Sequence, residues 1–250
     1  MYIDTHCHIL SDEYDNIDEI IEKLENNIAI ISGYDYNSNL EVIELSKKYK
    51  NIYGTIGIHP SETKDYNEKT ISLIEKNMDN PKIVGIGEIG LDYHYGKEEI
   101  ELQKEMLIHQ LELARKYQKP VVIHSRDAAK DTFDIIQKYS DLKITYHCYS
   151  YSKEMAKELE KMNIKFGIGG VVTFKNSKTL KEVVKTLSLN SILLETDSPY
   201  LTPEPYRGKK NNPTNVQIIA KKIAEIKNMP YETILKETTK NAISQFDLNI

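Results

Sequence analysis

The chain has 250 residues, 40% hydrophobic and 28% charged, with 33 Lys and Arg against 38 Asp and Glu for a formal net charge of −5. This composition fits a soluble globular protein with a sizeable core, as one large domain or two small ones. The acidic balance excludes a globally basic nucleic-acid binder but leaves room for a local basic patch.

Eight short β-rich runs alternate with longer amphipathic segments. The first strand is predicted over 2–8 (YIDTHCH), followed by a helical stretch over 17–27, a second strand over 28–34 and a second helical stretch over 39–50. Strands follow over 52–59 and 83–90, with a long helix over 99–118. The remaining strands are 121–126, 143–148, 165–170 and 191–197, with a helical stretch over 179–189 before the last. Eight strands alternating with helices in a chain of this size predict a (β/α)8 TIM barrel, one domain over 1–250. A doubly wound sheet is the alternative, but no Gly-rich phosphate fingerprint follows any strand. The Pro-rich connection over 200–215 is the one long loop, and long loops in compact domains are often functional. Cys7 and Cys148 cannot make a disulfide framework. The apolar runs are strand-sized rather than membrane-spanning, and no signal peptide precedes Asp4, so a reduced cytoplasm is expected.

Polar residues mark the strand ends. Side chains alternate along a strand, so His6 and His8 share one face and project inward near the end of the first strand. Glu88, His124, His147 and Asp197 close the fourth, fifth, sixth and eighth strands. Barrel active sites are assembled at that C-terminal face. Four imidazoles and two carboxylates gathered there would carry heavy desolvation and repulsion, which divalent cations relieve. Six candidate ligands exceed one structural site and suggest two adjacent cations with open positions. The bland reading, a set of hydrogen-bonded core histidines, suits one inward His better than a ring of six groups. Alternation turns Cys7 and Cys148 away from the metals. His59 ends the third strand and is a candidate substrate contact; His94, on a loop, is ambiguous, and His109, inside a helix, reads as structural.

The ordered set DTHCH (4–8), GIHP (57–60), GEIGLDY (87–93), PVVIHSRDA (120–128), HCYS (147–150), FGIGG (166–170), ETDSPYL (195–201) and YRGKKNNP (206–213) resembles the TatD-type metal-dependent deoxyribonucleases of the amidohydrolase superfamily. Tyr149-Ser150-Tyr151 stands where that family usually reads Phe-Ser-Gly, and Lys210 and Asn212 stand where Arg and Glu are common. The resemblance implies a TIM barrel that hydrolyses DNA phosphodiesters, often from the 3′ end, with RNA as a further candidate substrate. By that analogy His6 and His8 bind one metal, Glu88 bridges, His124 and His147 bind the second, and Asp197 contacts the first metal or its water. Asp197 is then the expected base, with Glu88 the other catalytic carboxylate. Arg126, Arg207 and Lys209 are the expected phosphate contacts. Zn, Mn, Mg, Fe or Co would all suit the mixed ligands. The rival enzyme is an amidohydrolase of small cyclic amides, esters or lactones. Such enzymes commonly bridge their metals with a carboxylated Lys on the fourth strand, where this chain has Glu88 and keeps Lys82 at the opposite end. A non-catalytic protein with structural metals is the other rival, but such sites are closed and often Cys-rich.

Overall fold

The computed structural model describes every residue except Tyr95 and Lys97. Eight strands form one parallel sheet in chain order. They are β1 (Ile3–Cys7), β2 (Ile28–Ser32), β3 (Ile52–Ile56), β4 (Ile83–Asp92), β5 (Val121–Arg126), β6 (Ile144–Tyr146), β7 (Lys165–Ile168) and β8 (Ile192–Leu194). Between and after them run α1 (Ile17–Glu22), α2 (Tyr36–Lys48), α3 (Glu68–Lys76), α4 (Ile100–Tyr117), α5 (Ala129–Ile136), α6 (Lys153–Lys161), α7 (Lys178–Thr186), α8 (Val216–Lys227) and α9 (Tyr231–Phe246). Every residue of β1 to β4 is buried, as expected of a parallel sheet covered by helices. β8 returns beside β1, where the Thr5 hydroxyl donates to the Leu194 carbonyl at 3.0 Å. This is the expected (β/α)8 barrel.

The elements differ from the sequence-based expectation mainly at their ends. The first helix stops at Glu22, and the chain then turns with Glu25 at φ +52. β6 and β8 end before His147 and Asp197, and the segments that follow contain Cys148 and Asp197 at left-handed backbone angles, φ +44 and +53. β4 runs two residues beyond Gly90 to Asp92. It lies so close to β5 that a Cβ on Gly90, at φ +154, would sit 1.8 Å from the His124 carbonyl oxygen. Only glycine fits there.

The chain divides into two compact units, Met1–Ile31 with Cys148–Ile250, and Ser32–His147. In the second unit three buried amides clamp the backbone where the strand ladders end. Asn39 of α2 accepts from the Gly57 N–H at 3.1 Å and donates to its carbonyl at 2.7 Å. Gln110 of α4 does the same for Ile58, at 2.7 and 3.1 Å, and Gln103 for Asp92, at 2.9 and 3.0 Å. Each clamp satisfies a donor and an acceptor that would otherwise be buried without a partner. It also fixes the residues that follow: His59 comes directly after Ile58. In the first unit Asn211, 1% exposed, holds the segment after β8, donating to the carbonyls of Thr196 and Tyr200 at 3.0 and 2.7 Å.

Candidate metal centre

In the unit containing β1 and β8, three donor atoms converge. His6 Nε2 lies 3.3 Å from His8 Nε2, and the Asp197 Oδ1 lies 3.6 and 3.5 Å from those two nitrogens. The spacing of two on β1 sets the histidines side by side, with their rings edge to face at 4.9 Å. Asp197 is brought to them by main-chain bonds: its N–H donates to the His6 carbonyl at 3.0 Å, and the His8 N–H donates to the Ser198 carbonyl at 2.7 Å. Beneath them Asp4, fully buried, accepts from the Thr196 N–H at 3.0 Å and the Thr196 hydroxyl at 2.5 Å. Burial pushes the Asp4 carboxyl well above the usual range, against those hydrogen bonds. His6, His8 and Asp197 thus bring three donor atoms together in a group that could hold a metal ion.

The other unit builds a second cluster around one carboxylate oxygen. Glu88 Oε1 lies 2.8 Å from His124 Nδ1, 3.1 Å from His147 Nε2 and 3.6 Å from His59 Nε2. The His59 and His124 rings meet at 4.5 Å, and those of His124 and His147 stack at 5.8 Å. Glu88, His59 and His124 again bring three donor atoms close enough together that they could hold a cation. Both clusters therefore have the donor chemistry of a divalent metal site, all imidazole nitrogen and carboxylate oxygen.

One member of this cluster escaped the sequence reading. Asp92, 6% exposed, places Oδ2 3.1 Å from His124 Nε2, so the imidazole is held between two carboxylates. Burial lowers the His124 pKa, but Asp92 and Glu88 outweigh it and raise it above the ordinary value. Burial likewise raises the Asp92 carboxyl, and its bonds to His124 and the His94 N–H outweigh that and lower it. The available signal was spacing: Asp92 is four residues beyond Glu88, on the same face of a strand two residues longer than expected. A carboxylate on the far nitrogen of a ligating imidazole fixes its tautomer and raises its basicity. Asp92→Asn should therefore weaken metal binding by roughly 10–100-fold while the fold persists. Metal titration of chelator-treated protein, followed by calorimetry, measures this; unchanged affinity would leave Asp92 a packing residue.

Other predicted residues fall as follows. Cys7 is buried with Sγ 3.7 Å from the Ile30 carbonyl, outside the cluster of its neighbours, as alternation requires. Cys148 lies past the end of β6, so alternation does not govern it; its N–H donates to Glu195 Oε1 at 2.6 Å. Glu195 and Asp197, two residues apart, would share a face of a continuing strand, but β8 has already ended at Leu194 and they part company. Glu195 is fully buried against Gly167, whose added Cβ would lie 1.8 Å from Glu195 Oε2. Arg126 is exposed at the end of β5, opposite Asp92 in register. Arg207 and Lys209 are exposed on the long loop, Arg207 lying over the Phe174 ring at 4.3 Å. His94 sits 3.1 Å from Asp127, and His109 on α4 is 3.0 Å from the Tyr66 hydroxyl. Lys82 is engaged elsewhere: its ammonium donates to the carbonyls of Lys50 and Ile52 at 2.6 and 3.0 Å.

Residues 3–247 match the family model described as TatD related DNase. The metal-dependent hydrolase YabD of Bacillus subtilis is 39% identical over 255 residues, covering 100% of both chains. The metal-dependent hydrolase MJ1582 of Methanocaldococcus jannaschii is also 39% identical, over 251 residues, covering 98% of this chain and 96% of its own. Among solved structures, YjjV, a TatD homolog from Escherichia coli K12, superposes with a TM-score of 0.90 at 24% identity, over 99% of this chain and 98% of its own.

Proposed function

This chain belongs to the TatD-related DNase family, whose relatives include metal-dependent hydrolases, and on that premise we propose that it hydrolyses DNA phosphodiesters, as a 3′–5′ exonuclease, with two divalent cations. The observation that carries the proposal is the pair of donor clusters at strand ends, each converging imidazoles on a carboxylate. In this reading His6, His8 and Asp197 hold one cation, and Glu88, His124 and His147 hold the other. Such cations, when bound, acidify water towards neutrality and neutralise phosphoryl oxygens.

The chain's own residues then have separable tasks. His6 and His8 are closed off from solvent, while the Asp197 side chain keeps 14% of its surface accessible. Asp197 is the member of that cluster able to orient an attacking water and accept its proton. Arg126 and Arg207 offer planar guanidinium groups to phosphate oxygens, and Lys209 adds a point charge. His59, beside Glu88 and His124, is positioned as a substrate contact. The local basic loop serves a polyanion although the whole chain is acidic. The amide- or lactone-hydrolysing reading is disfavoured because the metal-facing end of β4 carries Glu88, while Lys82 is bonded to main-chain carbonyls.

A matrix of metals against substrates tests the proposal, using chelator-treated protein reloaded with Zn, Mn, Mg, Fe or Co. Metal-dependent release of nucleotides from 3′-labelled single-stranded DNA is expected. Turnover of small cyclic amides or lactones with no phosphodiester cleaved would overturn it. Arg207→Ala and Lys209→Ala should each raise KM for polynucleotide and reduce the salt slope by about one. A loss that is equal on a small diester would show that the loop shapes the metal site instead.

A further inference from the structure

The loop after β8 does more than carry charge. Three of the large hydrophobic residues exposed among the described residues, Tyr200 (49%), Leu201 (36%) and Tyr206 (46%), lie on it within seven positions. Tyr200 and Leu201 line a cavity of about 530 Å3 together with Glu13, Phe174, Arg207 and Lys209. One wall is therefore aromatic and apolar, and the rim carries Arg207 and Lys209, neither of which is ion-paired among the described residues. Tyr200 also connects this cavity to the metal cluster. Its ring lies 6.1 Å from that of His8 and three residues beyond Asp197. Its hydroxyl donates to Glu13. Arg207, its Cζ 4.3 Å from the Phe174 ring centroid, brings its cation to the same cavity.

We propose that this cavity is a nucleobase subsite, in which Tyr200 stacks on the base next to the scissile phosphodiester while Arg207 and Lys209 hold its phosphate. The inference rests on the phosphodiesterase reading above and adds its recognition element. A flat ring with an apolar face and an attached anion matches an aromatic wall with a cationic rim, and stacking of this kind tolerates any base. An aliphatic or purely anionic ligand would leave one half of that surface without a counterpart. The subsite consequently favours an unpaired end, since a base held in a duplex cannot reach a side wall.

Two measurements on wild type, Tyr200→Leu and Tyr200→Phe test the assignment. The first compares kcat/KM for thymidine 5′-(p-nitrophenyl) phosphate with that for methyl p-nitrophenyl phosphate, which has no base. The preference for the base-bearing diester should fall roughly tenfold in Tyr200→Leu and persist in Tyr200→Phe, which keeps the ring. The second needs no turnover: quenching of a 3′-terminal 2-aminopurine in a single-stranded oligonucleotide bound to the chelator-treated protein. Its quenching should weaken in Tyr200→Leu and survive in Tyr200→Phe. If both diesters are hydrolysed but Tyr200→Leu affects them equally and 2-aminopurine quenching is unchanged, the base subsite is overturned and the phosphodiesterase reading stands. If neither diester is hydrolysed with any metal, the phosphodiesterase reading falls and takes the subsite with it.

Discussion

Asp197→Asn should lower kcat by roughly 10²–10⁴, the usual scale for losing a general base. The substitution keeps the size and the main-chain bond to His6 while removing the charge and the proton acceptor. Because Asp197 Oδ1 also lies 3.5–3.6 Å from both His6 and His8, weaker metal retention would deepen the loss. Metal content measured alongside turnover separates the two contributions. A fall in kcat with both ions retained identifies the base; a fall that tracks metal loss makes Asp197 a ligand only. Activity within tenfold of wild type at full metal occupancy would remove Asp197 from the chemistry.

Gly90→Ala should be among the most damaging changes available in the chain. The new methyl group would meet the His124 main-chain oxygen at 1.8 Å, in a backbone conformation that L-residues avoid. Neither side can yield easily. His124 is paired opposite Gly90 in the sheet, its strand is bonded to β6 on the other side, and its ring lies between Glu88 and Asp92. Backbone strain and overpacking together should destabilise the fold by about 3–5 kcal/mol. For a chain of this size that is a fall of roughly 6–20 °C in Tm. Any protein that does fold should bind metal poorly, since His124 must move. A Tm within about 2 °C of wild type would mean that β4 and β5 can separate at no cost.

The barrel was legible because its signal is repeated: strand-sized apolar runs alternate with helical periodicity, and six of the eight runs carry a His, Glu or Asp at or near their end. His6 and His8 were legible because a spacing of two on a strand fixes a common face. What alternation could not foresee was the place where a strand stops. Asp92 was overlooked because β4 continues past Gly90, whose glycine looks like a terminator until its tight approach to β5 is seen. A spacing of two would put Glu195 and Asp197 on one face of a strand, yet the left-handed backbone at Asp197 sends it to the histidines and leaves Glu195 beneath the Cys148 N–H. The buried clamps by Asn39, Gln103 and Gln110 were equally hidden, because an amide inside an amphipathic helix reads as ordinary solvent-facing polarity until its partner is known.

The contact between Gly167 and Glu195 restricts the order in which this site can change over time. Glu195 Oε1 is engaged by Cys148, directly after His147, and Oε2 occupies the space that any side chain at 167 would need. Drift at Gly167 is therefore blocked while Glu195 keeps its length, and shortening Glu195 first would loosen the turn behind His147. The two positions form an epistatic pair whose effects cannot add. A side chain at 167 therefore needs a change at 195 to accompany it.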